Sequence, residues 1–431
     1  MNSANSQLQA VSRHLRTDEL YLDKYIKQVR ETFEQSDPTV RAFVSETERW
    51  DRLERSKEKI QARYPDFSSR PPLYGVPVGI KDIFHIDGFE TKAGSSLPAN
   101  TLSGAEAPVV TRLRKAGALI LGKTVTTEFA GFEPGKTRNP HDTSHTPGGS
   151  SSGSAAAVAA DMCPLALGSQ TVGSVTRPAA FCGVVGVKPT YGRVPTAGVI
   201  PVAPSVDHVG FFTKSVGGAR LAAPVLYNDW RAEDTPTRLS RIGIVEGPYL
   251  EQASELARSA FASQISQLNA AGFETERLDP LPNIDEINGH HNRLVAAETA
   301  LSHDELYQKW GEQYANKTKE VILEGHSVSV AELASARADR STVRDSIQQA
   351  MDNHDVEIVV SPSAVGPAPR GLESTGDPIM NLPWTHAGVP TVSVPVGTTD
   401  DGLPLGLQCA SRTGTDEWLL SWAQEIQRVF S

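Results

Sequence analysis

Residues 148–193 read GGSSSGSAAAVAADMCPLALGSQTVGSVTRPAAFCGVVGVKPTYGR, and the rest of the chain is organised around this stretch. Its Gly, Ser and Ala content is that of a flexible linker, but linkers carry no apolar anchors. This stretch carries Val158, Leu165, Leu167, Val172, Val175, Phe181, Val184, Val185 and Val187. It therefore reads as packed structure. Its small residues let backbones approach closely and turn N–H groups toward one point. Ser150 to Ala160 predicts a helix, with Ser151 or Ser152 near its N-cap and the alanine run as its body. Residues 165–177 predict a short strand followed by the turn TVGSVTR, and residues 183–188 a second apolar strand.

Upstream, Val76, Val78 and Ile80 alternate as in a strand, which puts Lys81 at its end beside Asp82. A lysine there snorkels, pairs with a carboxylate, or is desolvated. Desolvation disfavours the ammonium form, so a buried neutral amine can act as a base. Between these segments, APVVTRLRKAGA and then LILGKT give the helix–Gly–strand order of an α/β unit. Residues 133–147 are polar and turn-rich, a surface loop. Residues 5–64 carry apolar positions at helical spacing and predict a helical pair or triplet divided at Pro38. Further on, the pattern predicts a strand at 242–245, a helix at 254–271 capped by Ser254, and a polar strand at 273–278. Mostly helical sequence then runs to Asn353, followed by an apolar strand at 357–363. Two short strands lie within 381–409, and an amphipathic helix spans 416–430.

Composition limits the function classes. The net charge of −10 over 431 residues argues against a nucleic-acid partner, which needs clustered Lys and Arg. No apolar run approaches the ~18 residues of a membrane span, and the N-terminus lacks the apolar core of a signal peptide. Cys163, Cys182 and Cys409 make an odd count without metal spacing, which reads as reduced thiols in a cytoplasmic protein. The 11 histidines form no pair at metal-ligand spacing, so no metal is expected. No Gly-Lys-Ser/Thr stands at P-loop spacing, and no cofactor is expected.

Taken in order, GVPVGIKD, GGSSSGSAAAVAA, GSQTVGS, GVVGVKPTYGRV and finally GVPTVSVPVG with GLPLGLQ resemble the amidase signature family over roughly residues 70–216 and 356–430. The resemblance implies an α/β fold with one large mixed sheet and helices on both faces. Residues 1–66 would form an N-terminal helical cover and residues 67–216 the catalytic core. Residues 217–355 would be a mainly helical, substrate-shaping excursion, and residues 356–431 would return to the core. It also implies cofactor-free hydrolysis of an amide, urea or carbamate by a Ser–cis-Ser–Lys triad. Lys81 matches the base, Ser150 the bridging serine with a cis peptide before it, and Ser174 the nucleophile. A serine hydroxyl needs a base to attack an amide, and Ser–Lys pairs replace Ser–His–Asp elsewhere. The turn Thr171, Val172, Gly173 and Ser174 would aim N–H groups at the oxyanion. Phe129, Ala130 and Gly131 match the family's acyl-pocket segment.

Four departures leave the substrate open. The turn that often reads T-D-x-G-G-S is here Ser169-Gln170-Thr171-Val172-Gly173-Ser174. Thr176 replaces the usual arginine two residues after the nucleophile, and Arg177 follows it. Val125 and Thr385 stand where asparagines are usual. Arg177 could fork onto a substrate carboxylate or sit in a structural ion pair; Asp207 reads as structural. The expected partner is a small amide-type substrate, with no nucleic acid and no membrane, and a homodimer contact through the N-terminal helices is open. Three other readings remain. Gly149-Ser150-Ser151-Ser152-Gly153 matches the nucleophile elbow of an α/β-hydrolase esterase, but the polar HDTSHTP before it is not the strand that motif needs. The segment KPTYGRV also fits an amidotransferase component that works with partners on charged tRNA. A non-catalytic scaffold is opposed by the joint presence of Lys81, Ser150 and Ser174.

Overall fold

The computed structural model describes residues 7–17, 19–232, 239 and 241–431. Residues 5 and 6 of the expected helical segment, and Asp18 within it, lie outside the described residues. The chain opens with α1 (Leu8–Thr17), α2 (Leu22–Val40) and α3 (Arg49–Arg63). Pro38 does not divide α2; it sits in the last turn. The helix ends two residues later, where Arg41 turns left-handed and Asp37 Oδ1 accepts the N–H groups of Ala42 and Phe43.

Next come β1 (Pro77–Lys81), α4 (Pro108–Lys115) and β2 (Leu119–Thr124). They are followed by α5 (Ser152–Ala159), β3 (Leu165–Gln170), α6 (Thr176–Cys182), β4 (Val185–Lys188), β5 (His208–Thr213) and α7 (Val216–Leu226). The central part runs through β6 (Arg241–Val245), α8 (Pro248–Glu251), α9 (Glu255–Ala270), β7 (Glu274–Leu278), α10 (Ile284–Trp310), α11 (Asn316–Ser327) and α12 (Val330–Asn353). The chain closes with β8 (Ile358–Pro362), α13 (Leu382–Ala387), β9 (Thr391–Thr398), β10 (Pro404–Ala410) and α14 (Asp416–Val429). As expected, Ser254 caps α9, its side chain accepting from the Ala257 N–H.

All ten strands form one mixed sheet in the order β2-β1-β3-β5-β4-β9-β10-β8-β6-β7. β1 is parallel to both β2 and β3. The middle of the sheet, from β3 through β8, is antiparallel. β8, β6 and β7 are again parallel. The segment read as a helical excursion therefore also contributes two strands, β6 and β7, to one end of the sheet. β5 has no counterpart among the expected strands. Every residue of HVGFFT is buried, so the alternation that marks a half-exposed strand is missing. Helices α6, α7 and α14 pack against the sheet, while α11 and α12 pack on α10. Among the described residues no helix is long and apolar enough to cross a membrane.

The register places the chemistry. Ile80 of β1 pairs with Leu167 of β3 in a parallel ladder, so both strands end on the same edge of the sheet. Lys81 closes β1 and Gln170 closes β3. In α/β sheets the open crevice lies beyond such carboxyl ends.

Candidate active site

Lys81 is completely buried, yet among the described residues it has no carboxylate partner. Its Nζ lies 2.7 Å from Ser150 Oγ and 2.8 Å from Ser169 Oγ. The adjacent Asp82 is paired instead with Lys123, Nζ to Oδ1 at 2.8 Å. Lys123 Nζ also donates to the Phe84 carbonyl and to Thr91 Oγ1. Two lysines at neighbouring strand ends thus meet opposite environments. Burial holds the Lys81 amine well below the usual lysine range, opposed only by the more distant charge of Asp207. Such burial favours the neutral amine, the form able to take a proton.

The peptide between Gly149 and Ser150 is cis, as the resemblance implied. Ser150 lies just before α5, and its carbonyl accepts from the Thr127 N–H. Ser151 does not offer its hydroxyl to a substrate. It is fully buried, donates to the Ser169 carbonyl and accepts the Ser169 N–H. No strand precedes it. Both observations remove the nucleophile-elbow reading.

The turn 171–174 hangs on two side chains that sequence reasoning treated only as departures. Gln170 Oε1 accepts the N–H groups of Val175 (2.7 Å) and Thr176 (2.9 Å). Its Nε2 donates to Thr385 Oγ1 at 2.9 Å. Thr385 Oγ1 in turn donates to the Val172 carbonyl at 2.6 Å. On the other side, Thr171 Oγ1 donates to Asp207 Oδ1 at 2.6 Å, and Asp207 Oδ2 accepts the N–H groups of Val202 and Ala203. Gly173 is required by space: a Cβ there would lie 2.6 Å from Asn381 Oδ1. Among the described residues no hydrogen bond engages the N–H groups of Val172, Gly173 or Ser174, or the Ser174 hydroxyl.

A cleft of about 560 Å³ opens over this turn. It is lined by Thr171 to Ser174, by Phe129, Ala130, Gly131 and Phe132, and by Thr299 and Val295 of α10 and Val321 of α11. Phe129 and Ala130 both have positive φ, and the Phe129 ring stacks on Tyr314 at 4.8 Å and meets His303 edge-on. Glu128 Oε2 accepts from the Ala315 N–H and the Thr318 hydroxyl, tying the acyl-pocket segment to α11.

Arg177 also borders the cleft, but it is neither a free fork nor an ion pair. Its Nη1 donates to the Gly376 carbonyl, and its Nη2 to the Gly149 carbonyl and Thr375 Oγ1. Burial pushes the guanidinium down to about 10. It fastens the 375–376 loop to the residue before Ser150, and among the described residues its buried Nε–H has no partner.

Lys81 is thus hydrogen-bonded to Ser150, and Ser174 lies nearby, its carbonyl accepting from the Ser151 N–H at 3.4 Å, while the 171–174 turn faces Phe129 to Gly131 across the cleft; among the described residues no hydrogen bond joins the Ser150 and Ser174 side chains. The residues sequence reasoning missed are Ser169, Gln170 and Thr385. Ser169 had a findable signal, since it lies two residues beyond the ladder partner of Ile80 and so reaches the end of β1. Gln170 and Thr385 stood out only as departures from the family pattern, and nothing in the sequence shows that residues so far apart bond each other.

The amidase family model matches residues 24–420. A glutamyl-tRNA(Gln) amidotransferase component of Koribacter versatilis is 31% identical over 436 residues, covering 88% of this chain and 90% of that protein. A crystal structure of an amidase superposes with a TM-score of 0.90 at 28% identity, covering 99% of this chain and 100% of the other. The peptide amidase of Stenotrophomonas maltophilia superposes with a TM-score of 0.82 at 26% identity, covering 100% and 98%.

Proposed function

Because this chain belongs to the amidase family and is an amidohydrolase by that membership, we propose that it hydrolyses a linear C–N bond through an acyl-Ser174 intermediate, with Ser150 as proton relay and Lys81 as base. The observation that carries the reading is the fully buried, carboxylate-free Lys81 within 2.7 Å of Ser150 Oγ.

Ser174 Oγ attacks the carbonyl carbon of the amide. Its proton passes to Ser150, and a proton of Ser150 passes to the neutral Lys81 amine. The Val172 carbonyl is held by Thr385, and in a trans peptide the N–H points opposite to the C=O. The Gly173 N–H is thereby turned away from Thr385 and serves, with the N–H groups of Val172 and Ser174, as an oxyanion donor. Lys81 returns the proton through Ser150 to the leaving amine. Water then attacks the ester, and the same relay runs in reverse. Three buried free cysteines fit a reducing, cytoplasmic setting.

The amidotransferase relatives support a second reading, a component that works within a larger assembly on charged tRNA. The two are separated by assaying the purified chain alone. Labelling by a fluorophosphonate should place the adduct on Ser174. Ser174→Ala should abolish both the adduct and the hydrolysis of a panel of simple amides, a loss of about 10⁴-fold or more. Hydrolysis that survives Ser174→Ala refutes the reading. Labelling of Ser174 with turnover only when partner proteins are added supports the assembly.

A further inference from the structure

Two cavities meet beside Ser174. The cleft of about 560 Å³ shares Phe132, Val172, Val295, Val321 and Pro378 with a second cavity of about 830 Å³. All five shared residues are apolar, so the passage between the cavities carries no charged or hydrogen-bonding side chain.

The inner cleft offers a ligand little more polarity. No carboxylate lines it among the described residues. Its threonine hydroxyls already donate within the protein: Thr171 to Asp207 Oδ1, Thr299 to the Val295 carbonyl and Thr318 to Glu128 Oε2. The Nη atoms of Arg177 are engaged by Gly376, Gly149 and Thr375, and its Nε–H is buried. Among the described side-chain donors around the cleft, only the Ser174 hydroxyl and that buried Nε–H are unspent. A charged group drawn into such a site gives up its water and finds no partner in return.

Phe132 is an independent observation. It stands at the junction of the two cavities and is 41% exposed. An aromatic ring left in water where two cavities meet over apolar walls is placed to cover an apolar ligand.

Resting on the acyl-Ser174 reading, we propose that the cleft selects amides of uncharged, apolar acids. The acyl chain lies along Val172, Val295 and Val321, and Phe132 covers it where it leaves the inner cleft. Acyl groups whose charge falls within the inner cleft are disfavoured, whichever its sign.

The test uses primary amides, which release only ammonia and so vary on the acyl side alone. One series runs from acetamide to octanamide. A second keeps one short chain, whose end stays in the inner cleft, and ends it in methyl, ammonium or carboxylate. The expected kcat/KM rises about three- to fourfold per methylene until the cleft is filled. The methyl-ended amide should exceed both charged ones by about tenfold or more. In Phe132→Ala the ratio of octanamide to acetamide should fall about tenfold. Val321→Asp puts a carboxylate in the shared wall and should raise the ammonium-ended amide relative to the methyl-ended one. A kcat/KM that is flat with chain length overturns the proposal, as does a chain-length slope unchanged in Phe132→Ala. A carboxylate-ended amide cleaved as well as its methyl counterpart also overturns it and gives the Arg177 Nε–H to the substrate. If Ser174 is labelled by the fluorophosphonate but no longer chain is preferred, the substrate class is wrong and the hydrolase reading stands. If Ser174 is not labelled, the reading beneath the proposal fails and the proposal falls with it.

Discussion

Thr385→Val is the sharpest probe of how the turn 171–174 is held. Valine has nearly the shape of threonine but neither donates nor accepts a hydrogen bond. The substitution removes the donor to the Val172 carbonyl at 2.6 Å and the acceptor of Gln170 Nε2 at 2.9 Å. Both atoms sit in buried surroundings, and each unpaired buried polar group costs about 1–3 kcal/mol. A stability loss of about 2–6 kcal/mol follows. The catalytic effect is separate. Once its carbonyl is released, the Val172–Gly173 peptide can rotate, and the Gly173 N–H no longer points at the oxyanion. Loss of one such donor lowers kcat by about 10²–10³. The measurement is kcat per active site, with active sites counted by fluorophosphonate titration so that unfolded protein does not enter the ratio. KM should change little, because the contact is made in the transition state. Thr385→Ser keeps the hydroxyl and should recover most of kcat. A Thr385→Val enzyme whose kcat per active site stays within about threefold of the parent would refute the argument that this carbonyl orients the donor.

Lys81→Met should be inactive and also more stable than the parent at neutral pH. The folded-state pKa of Lys81 lies below its unfolded value of 10.5, so the unfolded chain binds the extra proton and parent stability rises with pH. The advantage of the methionine variant should therefore shrink as pH approaches 10.5 in denaturant melts taken across the range; a variant less stable than the parent at every pH contradicts a neutral Lys81. The same shift predicts that kcat/KM rises along an acid limb and reaches its plateau well below the ordinary lysine value of 10.5, whereas activity still climbing at that pH would mean an ammonium at rest. Arg193→Met should cost about 3–5 kcal/mol in urea unfolding, because the substitution leaves the buried Asp416 carboxylate without a cation and Glu417 with Arg231 alone, at 3.6 Å. A loss under about 1 kcal/mol would show that water reaches the pair.

Much of the fold was legible where local pattern and burial agree. β1, β2, β4 and β8, the cap of α9 and the last helix follow from alternation, capping chemistry and amphipathic spacing. β5 was not legible, because a strand buried on both faces loses its period. α13 was hidden in a segment read as two strands. Leu382–Ala387 is only six residues long, too short for a 3.6-residue period to show. For the candidate site, ordered motifs pointed to residues that the fold places near one another, but not to how they are held. Arg177 looked like a substrate fork because an arginine near a nucleophile is usually judged by its charge. The acceptors that occupy it are backbone carbonyls of Gly149 and Gly376, and no sequence pattern announces a carbonyl. Lys81 shows the same limit from the other side. Its neighbour Asp82 suggested an ion pair, and only the parallel register that brings Lys123 beside Asp82 shows that the carboxylate is already taken.

Two of the residues read from the sequence as departures from the family motif, Gln170 and Thr385, bond each other through their side chains, and Thr385 also holds the main-chain carbonyl of Val172. Gln170 Nε2 reaches Thr385 Oγ1, which holds the Val172 carbonyl, while Gln170 Oε1 caps the N–H groups just after Ser174. Random loss of a site would scatter changes through it and leave buried donors unpaired, since each change would remove one partner of an existing bond. Here the changed residues satisfy each other, and the turn they support keeps its free N–H groups over the cleft. The departures therefore act as one substituted brace. A brace of two matched buried side chains and one backbone carbonyl fixes the geometry of Gly173 and Ser174, which a working catalytic turn needs and a scaffold that has merely kept the fold does not.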